Sequence, residues 1–178
     1  MKTVKLHNKE FEIFIPETEI SAIVHSMANQ INNSGVKNPL FIAVLNGSFL
    51  FAADIMRKIN IPNCEISFIK LSSYLGTEST GEVNELIGLG KNIRNRNVVI
   101  LEDIIDTGVT LEKIISLLVK EEVADIKVAT LLFKPEAYKK EIEIDFIGKS
   151  IANDFVVGYG LDYDEIGRNL PHIYKLKE

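Results

Sequence analysis

Residues 98–110 read VVILEDIIDTGVT, and most of the recognisable chemistry of the chain lies there. An apolar run ends in two adjacent carboxylates, Glu102 and Asp103. Two apolar residues follow, then Asp106-Thr107-Gly108-Val109-Thr110, then a segment of helical periodicity. A short turn at a helix start offers free backbone N–H groups and the positive end of the helix dipole, and together these hold an anion. The Thr107 and Thr110 hydroxyls add donors. The turn has a single glycine, Gly108, so it is neither a Walker A loop nor a GxGxxG fingerprint. A phosphate monoester suits so short a cup. Carboxylates beside it would repel the anion unless the ligand also carries hydroxyls, a cation or developing positive charge. Acidic groups accept hydrogen bonds from sugar hydroxyls and hold the waters of Mg²⁺. Taken singly, Glu102 and Asp103 read as solvated strand-end charges and Thr107 to Thr110 as a plain cap. Their combination between two apolar runs points to a site.

The elements that must position this segment follow from periodicity. Residues 3–15 alternate around His7-Asn8-Lys9 and read as a hairpin ended by Pro16. Ile20, Ile23, Val24, Met27, Ala28 and Ile31 recur at helical spacing, stopped by Asn32 to Gly35. Leu40 to Leu45 and Val98 to Leu101 are continuous apolar runs, the mark of strands buried on both faces. Phe49 to Ile59 and Leu111 to Lys120 read as helices. Cys64 to Leu71, Leu86 to Leu89, Ile126 to Phe133, Ile144 to Ile147 and Phe155 to Val157 read as strands. Ser72 to Glu85 is polar and rich in small residues, a long loop of the kind that often serves as a lid. Alternating strands and helices predict an α/β fold with a mostly parallel, Rossmann-like sheet and right-handed crossovers. The core spans about 17–150. The first 16 residues and residues 151–178 fall outside the alternation and are expected to form a small hood lobe. In such sheets ligands sit beyond the carboxyl ends of the strands.

Composition bounds the rest. With 178 residues, one domain is expected. Lys+Arg 20 against Asp+Glu 25 gives a net charge of −5, a poor prior for nucleic acid or anionic membrane. The single cysteine, Cys64, excludes an internal disulfide and a cysteine zinc site. His7, His25 and His172 show no metal-ligand spacing. The charged, alternating N-terminus lacks the apolar core of a signal peptide, and no apolar run reaches a membrane span. A cytoplasmic domain is expected.

VVILEDIIDTGVT resembles the 5-phosphoribosyl-1-pyrophosphate signature of type I phosphoribosyltransferases. The resemblance continues in order through VLNGSF (44–49), similar to the pyrophosphate loop, and LSSYLGTESTGEV (71–83), similar to the flexible catalytic loop. It extends through LLFKP (131–135), similar to the segment with the purine-reading lysine, and DFVVGYGLDYDEIGRNLPHIY (154–174), similar to the purine and metal segment. The last segment points to the 6-oxopurine branch of the family.

What the resemblance implies is a displacement of pyrophosphate from ribose C1 by a purine nitrogen, salvaging hypoxanthine or guanine as its 5′-monophosphate. Positive charge grows on the sugar, and Glu102 and Asp103 are placed to bind its hydroxyls and favour that charge. Asp106, Thr107, Gly108, Val109 and Thr110 hold the 5′-phosphate. Asn46, Gly47 and Ser48 meet the pyrophosphate with backbone amides, and the Leu45–Asn46 peptide is expected to be cis. Asp162, with Glu102 and Asp103, holds Mg²⁺, and Arg168 pairs with pyrophosphate. Lys134 and the Val156 backbone read the purine O6 and N1–H, Phe155 stacks on the base, and Asp162 also belongs to the purine-binding set. Adenine presents the opposite donor and acceptor pattern and is rejected. Asp106 is the candidate general base near N7, and Ser73 and Tyr74 close over the reacting centre. Without the resemblance, Phe155 reads as core and Arg168 as a surface charge. Asn46 and Val109 stand where the family commonly has lysine. The expected partners are small molecules, with no nucleic acid and no membrane, in a homodimer or homotetramer. The rivals are a xanthine-preferring enzyme and a non-catalytic regulator that senses phosphoribosyl pyrophosphate. A regulator would need a basic surface, which the net charge disfavours.

Overall fold

The computed structural model describes residues 3–71, 85–87 and 92–177. In chain order the elements are β1 (Thr3–Leu6), β2 (Lys9–Ile15), α1 (Glu17–Asn32), β3 (Leu40–Val44), α2 (Phe49–Met56), β4 (Glu65–Leu71), β5 (Glu85–Ile87), β6 (Asn97–Ile105), α3 (Val109–Lys120), β7 (Asp125–Phe133), β8 (Phe146–Ser150), β9 (Val156–Val157) and β10 (Ile173–Leu176). The main sheet has the order β5-β4-β3-β6-β7-β8. Its strands β4, β3, β6, β7 and β8 are parallel, and β5 is an antiparallel edge.

The two apolar runs sit at the centre because both of their faces are covered. Along β3 and β6 the odd positions Phe41, Ala43, Val99 and Leu101 pack with Val24, Met27 and Ile31 of α1 and Phe51 and Ile55 of α2. The even positions Leu40, Ile42, Val98 and Ile100 pack with Leu111, Ile114 and Leu118 of α3. This is the period-2 projection of an extended strand. The same alternation, carried past Leu101, sends Glu102 and Asp103 to opposite faces.

The remaining strands form a second, antiparallel sheet in the order β1-β2-β10-β9. Leu6, Phe11, Val157 and Tyr174 close its own small core. Ile15, Val156, Tyr159, Leu161 and Ile173 join the larger core, so this sheet is seated on the main one.

Several boundaries differ from the periodicity reading. Lys9 opens β2 instead of ending the turn, and His7 carries the left-handed φ of 49°. The α2 helix stops at Met56, three residues before Ile59, although Ile59 and Ile61 still pack on the core. The last parallel strand begins at Phe146, because Ile144 packs from a loop and Asp145 is spent on hydrogen bonds from Val128 N and Lys127. β6 runs to Ile105, because its pairing with β7 continues to Ile105 opposite Phe133. The carboxylates are therefore within the strand and not beyond its end. β10 was not foreseen from the sequence.

Candidate active site

The turn expected to act as a phosphate cup joins β6 to α3. Gly108 occupies the N-cap position with φ 82°, and no side chain caps the helix. The first N–H groups of α3 are therefore left to an incoming acceptor. A cleft of ≈ 100 Å³ opens there, lined by Glu102, Ile104, Ile105, Asp106, Thr107, Gly108, Val109, Thr110 and Leu111. A side chain at Gly108 would strike the Tyr138 ring and the Lys140 stem, and Lys139 N donates to Thr107 O. The segment after β7 thus buttresses the cup. Asp106, which could have served as a plain helix cap, does not: the cap is a glycine. Val109 is 45% exposed.

Glu102 lines this cleft and is 5% exposed. Burial, reinforced by the neighbouring Asp103 charge, holds its carboxyl well above the usual range. Asp103, on the opposite face, lies against the β3–α2 loop, where any side chain at Gly47 would collide with its carboxylate. Burial pushes Asp103 up to about 6. The amides of Ile104 and of Asp103 itself and the Arg168 charge pull it down, while Asp162 pushes it up. The Leu45–Asn46 peptide is cis, as the resemblance implied. Ser48 departs from the expected amide cradle. Its N–H and its hydroxyl both donate to Val44 O, at 3.3 and 2.6 Å, and the residue is fully buried.

Opposite Gly47 lies Gly160, with φ 100°, and a side chain there would strike Gly47 O. This close approach brings the 158–168 segment onto the β3–α2 loop. Arg168 folds back over it, donating from Nη1 to Gly160 O at 3.0 Å and from Nη2 to Asp162 Oδ1 at 2.9 Å. The Glu165 N–H donates to Asp162 Oδ2. Arg168 is thus more than the surface charge it resembles in the bare sequence.

The purine-reading candidates sit beyond β7 and at β9. Lys134 is 8% exposed, and its Nζ donates to Asp106 Oδ2 at 2.9 Å. The ammonium has two further N–H donors. Val156 is buried in β9, while Phe155 stands 43% exposed at its edge. Ser73 and Tyr74 lie outside the described residues.

Sequence reading missed Gly160, Ile104 and the Tyr138 buttress. Gly160 had a signal, the Gly158-Tyr159-Gly160 triplet, whose three residues all adopt positive φ. Ile104 stands two residues after Glu102 and lines the same cleft.

Among the described residues no three His, Cys, Asp or Glu side chains converge on a point that would hold a metal. Mg²⁺ does not require that: it keeps several waters and takes one or two carboxylates together with substrate oxygens. Asp103 and Asp162, coupled to each other and to Arg168, fit this use.

An anion cup at a helix start, acidic residues on a central strand and a glycine-tight loop, all at the carboxyl end of a parallel sheet, define a nucleotide-handling α/β site. The phosphoribosyl transferase domain family matches residues 16–164, and the chain belongs to that family. Hypoxanthine-guanine phosphoribosyltransferase of Staphylococcus aureus is 42% identical over 97% of both chains, and that of Staphylococcus epidermidis is 43% identical over the same share. A crystal structure of a hypoxanthine phosphoribosyltransferase from Staphylococcus aureus superposes with a TM-score of 0.85 at 41% identity, covering 93% of this chain and 91% of that one. A Trypanosoma cruzi hypoxanthine phosphoribosyltransferase in a ternary substrates complex superposes at 0.84 with 34% identity, covering 93% and 94%.

Proposed function

We propose that the chain transfers the 5-phosphoribosyl group of phosphoribosyl pyrophosphate to hypoxanthine, and to guanine, in purine salvage. The observation that carries this reading is one convergence. The uncapped start of α3, the Asp103–Gly47 contact and the Lys134–Asp106 pair all lie at the ends of β3, β6 and β7. The names of the relatives supply the base.

In this reading the cup of Asp106 to Thr110 takes the 5′-phosphate through backbone N–H groups and the Thr107 and Thr110 hydroxyls. Asn46 and Gly47 amides, with Arg168, take the pyrophosphate. The bond from C1′ to the pyrophosphate oxygen breaks, the bond from N9 to C1′ forms, and the purine gives up one proton. Asp106 receives or orients that proton at N7. Burial holds the Glu102 carboxyl well above the usual range, and it meets a ribose hydroxyl. Asp103, ionised near neutral pH, faces the developing positive charge on the sugar. Bound Mg²⁺ would neutralise pyrophosphate charge, held by Asp162 and Asp103. Lys134 keeps one N–H on Asp106 and directs another to O6, Val156 contributes backbone donor and acceptor, and Phe155 stacks on the base.

Among the described residues no helix is long and apolar enough to cross a membrane. A reducing, cytoplasmic setting suits the lone free Cys64. The reading includes a homodimer or homotetramer, which light scattering measures. The direct test supplies phosphoribosyl pyrophosphate, Mg²⁺ and, separately, hypoxanthine, guanine, xanthine and adenine, and follows nucleotide and pyrophosphate. Equimolar inosine monophosphate and pyrophosphate from hypoxanthine, with adenine left unused, is the expected result. No transfer to either 6-oxopurine would remove the reading.

A further inference from the structure

Three consecutive residues at the β1–β2 hairpin tip converge on one ring. His7 meets Tyr163 edge-on, with centroids 5.3 Å apart and planes at 87°. The Tyr163 hydroxyl donates to Asn8 Oδ1 at 3.1 Å. Lys9 Nζ stands 4.8 Å from the Tyr163 centroid. Tyr163 in turn meets Phe155 edge-on, at 5.7 Å and 85°. Lys9 Nζ is also 5.4 Å from the Phe155 centroid, and the buried Phe11 lies behind it at 6.0 Å. Phe155 nonetheless remains 43% exposed.

A half-exposed phenyl held only at its Cβ samples several rotamers. Edge-to-face packing fixes its plane, and a cation near two ring faces ties both rings to the strand that carries it. The hairpin tip is far in sequence from both rings, so it holds them only in the folded hood. We infer that Lys9 and Tyr163 are positioning residues for the purine: they fix Phe155 in the plane on which the base stacks, and the N-terminal hairpin is thereby part of base binding. The inference rests on the proposed stacking role of Phe155.

The test compares Lys9→Met, which keeps the stem and loses the cation, Lys9→Arg, which keeps the cation, Tyr163→Leu, which loses the ring, and Phe155→Ala. Hypoxanthine KM should rise roughly 3- to 10-fold in Lys9→Met and Tyr163→Leu, with kcat and the KM for phosphoribosyl pyrophosphate held within about twofold. Lys9→Arg should restore the hypoxanthine KM. Should Tyr163→Leu fail to fold, the Lys9 pair decides. A raised KM in Phe155→Ala with none in Lys9→Met overturns the positioning role alone. No change in Phe155→Ala removes the stacking role, and the inference with it. A parallel fall in kcat and rise in both KM values marks a general structural role and equally overturns it.

Discussion

Lys134 and Asp106 form an ion pair, Nζ to Oδ2 at 2.9 Å, in which the lysine is buried and the carboxylate is 43% exposed. The pair joins the end of β7 to the start of the phosphate cup. Lys134 holds Asp106 in place, and in the proposed reading it offers a second N–H to the base.

Lys134→Ala therefore removes a donor to O6 and leaves Asp106 without its cation. The loss in kcat/KM for hypoxanthine should be about 1.5–3 kcal/mol, as for a hydrogen bond to a charged group. The gap to adenine should narrow with the lost O6 donor but not close, because the backbone pattern at Val156 persists. An unchanged kcat/KM for hypoxanthine would take Lys134 out of the base site.

Asp103 gives the site a pH signature in stability. Its folded carboxyl lies at about 6 against an ordinary 3.8, so the folded state binds the proton more tightly than the unfolded chain. The associated stability is present below about pH 4, is lost as pH rises through about 6, and does not return above it. Buried Glu102 acts in the same direction. Asp103→Asn, which cannot ionise, should therefore be stabilised relative to the parent by up to about 3 kcal/mol at pH 8 and by little at pH 4. Urea melts of both proteins at the two pH values read the difference. Equal differences at both would show that Asp103 carries no such burial cost.

Gly47 has no room for a methyl group, because the Asp103 carboxylate occupies that space. Gly47→Ala should displace either the loop or the carboxylate, costing about 1–3 kcal/mol of stability. The KM for phosphoribosyl pyrophosphate should rise while the hypoxanthine KM stays close to the parent value. Steady-state kinetics with each substrate varied separates the two. A purine-side defect instead would misplace the pyrophosphate loop.

Asp162 is tied by Arg168 on one oxygen and by Glu165 N–H on the other. Asp162→Asn keeps much of that bonding and removes the charge. The Mg²⁺ concentration for half-maximal rate should rise several-fold, with circular dichroism unchanged. An unaltered Mg²⁺ titration would remove Asp162 from the metal-facing residues.

Much of this was legible in the chain. LFIAV and VVIL announce doubly covered strands because every position is apolar, and the turn at Asp106 to Thr110 announces an anion site because hydroxyls and a glycine precede a helical pattern. Other features are not local. Glu102 and Asp103 look like a pair in the sequence but diverge to opposite faces, because β6 pairs with β7 as far as Ile105. The Lys134–Asp106 bond spans 28 positions, which no spacing rule anticipates. β10 is four residues whose strand character comes from pairing with β2 at the other end of the chain. Gly160 is fixed by the backbone of Gly47, a contact that exists only once the sheet is built.

Asp106→Asn tests the chemistry assigned to this strand end most directly. The substitution preserves shape and keeps a hydrogen-bond acceptor for Lys134. It removes the carboxylate to which we assign the purine proton, while the helix cap, being Gly108, is untouched. The measurement is the single-turnover rate of nucleotide formation from hypoxanthine with phosphoribosyl pyrophosphate and Mg²⁺ at saturation. The rate should fall by roughly 10²–10⁴, with the affinity for phosphoribosyl pyrophosphate unchanged or slightly improved as a negative charge leaves the phosphate cup. A folded Asp106→Asn protein that forms nucleotide at nearly the parental rate would contradict it.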